Sequence, residues 1–139
     1  MCRQGPAIGE PLIFLTKDEV IELHARAIDT FGGSHGLRDE GALESALVAA
    51  ENRHFYAEAD VLGCAAAYAY HLTQAHAFID GNKRVAAVVT EIFLEVNGVG
   101  LDVTEDQLYE LYMGVADGSL SRDEVEERLS SWSVRTGQH

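Results

Sequence analysis

Residues 61–74 constrain the fold more than any other stretch. Wound as a helix, Val61, Leu62, Cys64, Ala65, Ala66, Ala67, Tyr68, Ala69, Tyr70 and Leu72 leave almost no polar face. Such a helix belongs in the middle of a bundle, and its alanines allow close helix approach. Asp60 is placed to cap its start. A second buried helix follows closely. Val85, Val88, Val89, Ile92, Phe93 and Val96 fall at the helical spacing, and Gly98 after Asn97 supplies the stop.

The other elements are punctuated as clearly. Thr16 with Glu19 forms a capping box for a helix over about 17–31, carrying Val20, Leu23, Ala27 and Phe31 on one face. His24 lies beside that stripe, near Ile21 and Ile28, and reads as a packing histidine. Gly32-Gly33 stops the helix, and Asp39 caps a second one with Leu43, Ala46, Leu47 and Ala50 inward. Glu51–Tyr56 breaks the period and looks extended; on its own it reads as a connecting loop with its aromatics tucked inward. Val99–Val103 looks extended but too short to imply a sheet. Thr104 with Gln107 opens a helix bearing Leu108, Leu111, Tyr112 and Val115, and Ser121 with Glu124 opens another bearing Val125, Leu129 and Trp132. Residues 1–11 and 133–139 read as loose tails. The expectation is an all-α fold: a compact bundle of about six helices with a short extended flap, one domain over residues 1–139.

Between the two buried helices stands a polar run, His76-Ala77-Phe78-Ile79-Asp80-Gly81-Asn82-Lys83-Arg84. It reads as a loop ending at a helix N-terminus, where unpaired N–H groups and the positive end of the dipole make an anion site. Gly81 lets the backbone approach an anion, and with Asn82 it would form the anion nest. Lys83 and Arg84 add charge that the dipole disfavours there unless an anion is present. Asp80 suits either a helix cap or a hard cation such as Mg²⁺. His76 is the group able to take a proton near neutral pH, hence a candidate general base. Phe78 reads as a core anchor for the loop. Together these residues point to phosphoryl or nucleotidyl transfer.

The net charge of −13 argues against direct nucleic-acid binding, which needs a basic face, while leaving room for a nucleotide held by local cations. Cys2 and Cys64 have no metal or redox spacing, and Cys64 among alanines reads as a buried inert thiol. No stretch has the length and apolarity of a membrane span or the pattern of a secretory signal, so a cytoplasmic location is the default.

The polar run resembles the signature of the Fic/Doc family, His-x-Phe-x-Asp/Glu-Gly-Asn-x-Arg. His76, Phe78, Asp80, Gly81, Asn82 and Arg84 fall in place. Phe14-Leu15-Thr16, Gly32-Gly33, the Gly36–Leu47 stretch and Asn97-Gly98 are similar too, extending the resemblance over most of residues 12–130. The adenylylating branch has glycine at the position of Lys83 and a second arginine at that of Ala87; the Asn-Lys-Arg version resembles the death-on-curing (Doc) toxin branch. The resemblance implies His76 as base, Asp80 as Mg²⁺ ligand, and Gly81, Asn82, Lys83 and Arg84 around the phosphates of ATP. It also implies that Lys83 fills the room glycine leaves for terminal phosphates. ATP then binds reversed and offers its γ-phosphoryl group to a Ser or Thr hydroxyl. The implied target is elongation factor Tu, and Arg53, His54, Phe55 and Tyr56 correspond to the family's target-docking flap.

Many Fic proteins silence themselves through a Ser/Thr-x-x-x-Glu-Gly/Asn helix. No Ser or Thr of this chain has Glu four residues on, so inhibition is expected in trans, from a Phd-like antitoxin. The competing readings are a Fic-type adenylyltransferase, a catalytically silent partner-binding module, and a metal-dependent phosphohydrolase using His71, His76 and Asp80.

Overall fold

The computed structural model describes residues 12–135. The expected tails at 1–11 and 136–139 lie outside the described residues. Six helices and two short strands follow in the order α1 (Lys17–Phe31), α2 (Glu40–Ala57), α3 (Val61–Ala75), α4 (Asn82–Val96), β1 (Val99–Leu101), α5 (Glu105–Ala116), α6 (Arg122–Trp132) and β2 (Ser133–Arg135). The helical bundle read from the sequence is therefore the fold.

Helix α3 is the hub and packs against α2, α4, α5 and α6. Gly63 through Ala69 are all buried, as are Leu72 and Thr73. Against it α4 buries Val85, Val89 and Phe93 of the expected stripe together with Ala86 and Leu94, while Val88, Ile92 and Val96 are half-buried at its edge. Each fully buried Leu or Phe side chain contributes roughly 1.5–3 kcal/mol, so this pair fixes everything attached between its ends. Thr16, Thr104 and Ser121 form complete capping boxes, and Asp39 and Asp60 cap α2 and α3. Cys64 is buried and free, and burial pushes its thiol up to about 12, as an inert core cysteine requires. The segment before α1 is tied across the hub. Leu15 N–H donates to the Tyr68 hydroxyl at 3.2 Å, and the Asn97 side-chain amide bonds both Ile13 N–H and Ile13 C=O at 2.9 Å.

Two expectations need correction. Residues 51–57 are not extended; they are the last two turns of α2, which ends at Glu58 in the left-handed region with φ 55. The apolar stripe of Leu43, Leu47 and Ala50 continues into His54, whose ring packs near Phe14 while its Nδ1–H donates to the Ala59 carbonyl at 3.1 Å. A polar side chain with an apolar body carried on the helical period that seemed broken. The extended structure lies elsewhere. Residues 133–135 are not frayed: they pair antiparallel with β1 in the register Val99↔Arg135, Gly100↔Val134 and Leu101↔Ser133. Among the described residues no helix is long and apolar enough to cross a membrane.

Candidate active site

Helix α3 stops because His76 turns left-handed, with φ 49 and ψ 42. A non-glycine residue there costs roughly 1–3 kcal/mol and persists only where its surroundings hold it. What holds it is the α1–α2 connection. Arg38 donates from Nη2 to the His76 carbonyl at 2.6 Å. Arg38 and Asp39 both donate backbone N–H bonds to the Ala77 carbonyl, at 2.7 and 2.9 Å, and Ile79 N–H donates to the Gly36 carbonyl at 3.0 Å. Leu37 and Phe78 form an antiparallel bridge in between.

Further braces act from the other side. Phe78 is buried, and its ring stacks on His24 with centroids 3.9 Å apart, so the expected anchor is in place. His24, itself buried as a packing histidine should be, donates Nε2–H to the Asp80 carbonyl at 2.7 Å, which sets its tautomer. The Asn82 side chain closes the loop on itself, accepting from Phe78 N–H at 3.0 Å and donating to Phe78 C=O at 2.9 Å. Its amide is thus spent on the loop, which leaves its backbone N–H for an anion.

Asp80 is exposed and does not cap α4; Gly81 is the cap, with φ 76 and no side-chain cap bond. The Asp80 carboxylate accepts Ser34 N–H on Oδ2 at 3.0 Å and Gly81 N–H on Oδ1 at 2.8 Å. Each oxygen keeps a lone pair free. Gly33 comes so close that a Cβ there would lie 2.7 Å from Asp80 Oδ2. Among the described residues no group of three His, Cys, Asp or Glu side chains could hold a metal. One exposed, oriented carboxylate fits Mg²⁺ shared with substrate phosphates and water, and does not fit an all-protein metal cage. The phosphohydrolase reading fails on the same fact. His71 lies in the α3–α6 seam, where Arg122 Nη1 donates to its Nε2 at 3.2 Å, and burial, then Arg122 and Arg53, hold its pKa down.

A cavity of about 1260 Å³ starts at Asp80, Gly81, Asn82, Lys83 and Arg84 and runs along α4 past Ala87 and Val88 to β1 and α5. Lys83 and Arg84 are exposed at its head, and Arg84 rests with its guanidinium carbon 3.9 Å from the Phe31 ring centroid. The uncapped α4 N-terminus and these two cations make that end anion-seeking. Its far end carries Glu91, Glu95, Glu105 and Asp106. Burial and the neighbouring Glu95 raise the Glu91 pKa. His76 is exposed at the head of the loop and lies outside this wall; among the described residues its imidazole has no hydrogen-bond partner. Arg53, His54, Phe55 and Tyr56 lie outside it too. Arg53 reaches toward α6, with Nη2 3.7 Å from Glu126.

The residues that sequence reasoning missed are Gly33, Ser34, Gly36 and Arg38. The cluster of glycines at 32, 33 and 36 was a signal for the first three, since three so close after a helix mark backbone packed tightly against something, and nothing local marked Arg38.

Residues 14–94 match the Fic/DOC family. The chain is 32% identical over 116 residues to protein kinase doc of Escherichia phage P1, covering 83% of this chain and 91% of that protein. It is 30% identical over 125 residues to toxin Doc of Mycolicibacterium smegmatis, covering 87% of this chain and 94% of the relative. With more than half of its length matched and the loop geometry built around the signature, the chain belongs to the Fic/Doc family.

Proposed function

We propose that this chain is a Doc-type toxin that moves the γ-phosphoryl group of ATP to a Ser or Thr hydroxyl of a protein target. The observation that carries the reading is Lys83, exposed beside Arg84 at the uncapped start of α4, with apolar Ala87 one turn further along the same cavity wall. Two cations at the positive end of a helix are unfavourable without an anion, so they mark where the phosphates sit. The lysine side chain occupies the space that the adenylylating branch leaves to terminal phosphates, and Ala87 offers no second clamp. Similarity to a relative named as a protein kinase supports the same choice.

In the reaction His76 accepts the proton of the attacking hydroxyl as the new P–O bond forms and the bond from γ-phosphorus to the bridging oxygen breaks, releasing ADP. Lys83, Arg84 and the first N–H groups of α4 meet the charge on the transferring group. Mg²⁺ held by Asp80 would neutralise phosphate charge when bound. Gly33 and Ser34 keep the carboxylate aimed, and Asn82 and His24 keep the loop from yielding.

Elongation factor Tu is the first candidate target, and a Phd-like antitoxin acting in trans is the expected inhibitor, as in a toxin–antitoxin pair. Similarity to a relative named as a toxin supports that setting. The test uses γ- and α-labelled ATP in parallel with the target, followed by intact-mass measurement. Label from the γ position and a mass gain of one phosphate are expected. Label arriving only from the α position would overturn the kinase in favour of adenylylation.

A further inference from the structure

General bases are usually aimed by a third group bonded to the ring. His76 has none among the described residues, so its aim must come from its backbone, and that backbone is in a region a β-carbon disfavours. The group that grips it is Arg38. The Arg38 guanidinium reaches the His76 carbonyl at 2.6 Å while its backbone N–H reaches the next carbonyl, Ala77, at 2.7 Å. One residue thus clamps two successive peptide units where the chain reverses.

The choice of partner is informative. In a chain with net charge −13, with Asp39 and Glu40 next in sequence, an exposed arginine has many carboxylates to choose from. Among the described residues Arg38 forms no ion pair and gives its one side-chain hydrogen bond, from Nη2, to a neutral carbonyl. We propose that Arg38 is a positioning residue for the transfer: it fixes the left-handed turn at His76 and so points the imidazole at the acceptor hydroxyl. The inference rests on His76 being the base.

The test compares the full chain with Arg38→Ala, Arg38→Gln and Arg38→Lys, by steady-state transfer from ATP and by amide hydrogen exchange. For Arg38→Ala, kcat should fall by roughly 10- to 100-fold, the size expected when a reacting group is slightly misplaced. KM for ATP should stay within about twofold, because Asp80 and the residues at the start of α4 are untouched. Arg38→Lys, which keeps a donor but loses the planar fork, should recover part of kcat. Exchange at Ile79, whose N–H bonds Gly36 across the same zipper, should quicken in Arg38→Ala. A kcat within about twofold of wild type in both Arg38→Ala and Arg38→Gln would overturn the proposal. So would a loss carried by KM for ATP alone. If Arg38→Ala does not fold, Arg38→Gln carries the same reading. If the wild-type chain moves no γ-label at all, the kinase reading fails separately; unchanged Ile79 exchange in the variants would then end the positioning role as well.

Discussion

Two stretches of this chain look irregular in sequence, residues 51–58 and residues 76–84, and they end in opposite structures. The first is helix almost throughout, its aromatics Phe55 and Tyr56 66% and 83% exposed. The second is a loop over residues 76–81 that runs into the first turn of α4, and its carbonyls at His76, Ala77, Phe78 and Asp80 all have named partners on α1, on the α1–α2 connection or in its own turn. A lapse in apolar period is therefore a weak sign of a loop, because His54 and Arg53 can carry a helical stripe with their apolar stems. Glycine at a left-handed position followed by a fresh apolar stripe is a strong one. The two stretches also differ in kind of function: the braced loop can hold reacting groups in register, and the exposed helix end can offer only side chains.

Breaking the braced loop should cost most where the proton is taken. His76→Ala should lower phosphoryl transfer by roughly 10²- to 10⁴-fold, the usual share of a general base, while nucleotide binding persists. Label transfer and nucleotide titration on the same preparation check this. Toxicity or partner effects left unchanged by His76→Ala would favour the silent partner-binding reading, and label transfer retained by His76→Ala would end the role of His76 as the base.

The next largest effect is expected at Gly33, a residue with no chemistry of its own. Its φ is 119, and a methyl there would sit 2.7 Å from Asp80 Oδ2 and 3.0 Å from Ile28 Cδ1. Gly33→Ala must push the carboxylate or the α1 end aside. Activity should drop by about 100-fold for that displacement, with stability lowered by more than about 1 kcal/mol. Thermal melting beside the transfer assay separates the two losses. Near-normal activity would mean that Asp80 does not need its present aim.

Asn82→Ala should have a smaller effect. It removes both side-chain bonds to Phe78 and leaves a half-buried N–H and C=O to find water, at a cost of about 1–3 kcal/mol. The transfer rate should fall by roughly tenfold, since His24 and Arg38 still hold the loop. A larger loss than for Gly33→Ala would show that the amide also reaches the substrate.

Much of this site was legible in advance. The caps at Thr16, Asp39, Asp60, Thr104 and Ser121, the all-apolar α3 and the stripe of α4 are local signals, written within a few residues of where they act. So were Phe78 as anchor and Gly81 at the turn. The partners that brace the loop were not legible, because His24 and Arg38 act across 56 and 38 residues of sequence, through carbonyl groups that every residue carries. The role of the Asn82 amide was hidden for a related reason: a loop-closing bond and a phosphate bond ask for the same side chain. The β1–β2 pair was hidden because a three-residue strand becomes a strand only when its partner, far along the chain, is beside it.

The smallest effect on the fold is expected at the other stretch, and it sharpens the contrast between them. Strand addition needs an alternating row of free backbone N–H and C=O groups, and the N–H groups of residues 51–57 are already used inside α2. Docking there would have to run through the exposed rings of Phe55 and Tyr56. Replacing both by Ser should leave stability within about 0.5 kcal/mol, because neither ring is buried enough to be missed by the core. Turnover of ATP at the loop should be unchanged as well. The informative measurement is therefore KM for the protein target. A rise in that value alone, with kcat and KM for ATP as in wild type, would make the helix end a side-chain docking surface. An unchanged KM would leave target recognition to the loop and the cavity beside it. A fall in kcat would contradict the separation drawn between the two stretches, since it would mean that the end of α2 reaches the reacting groups.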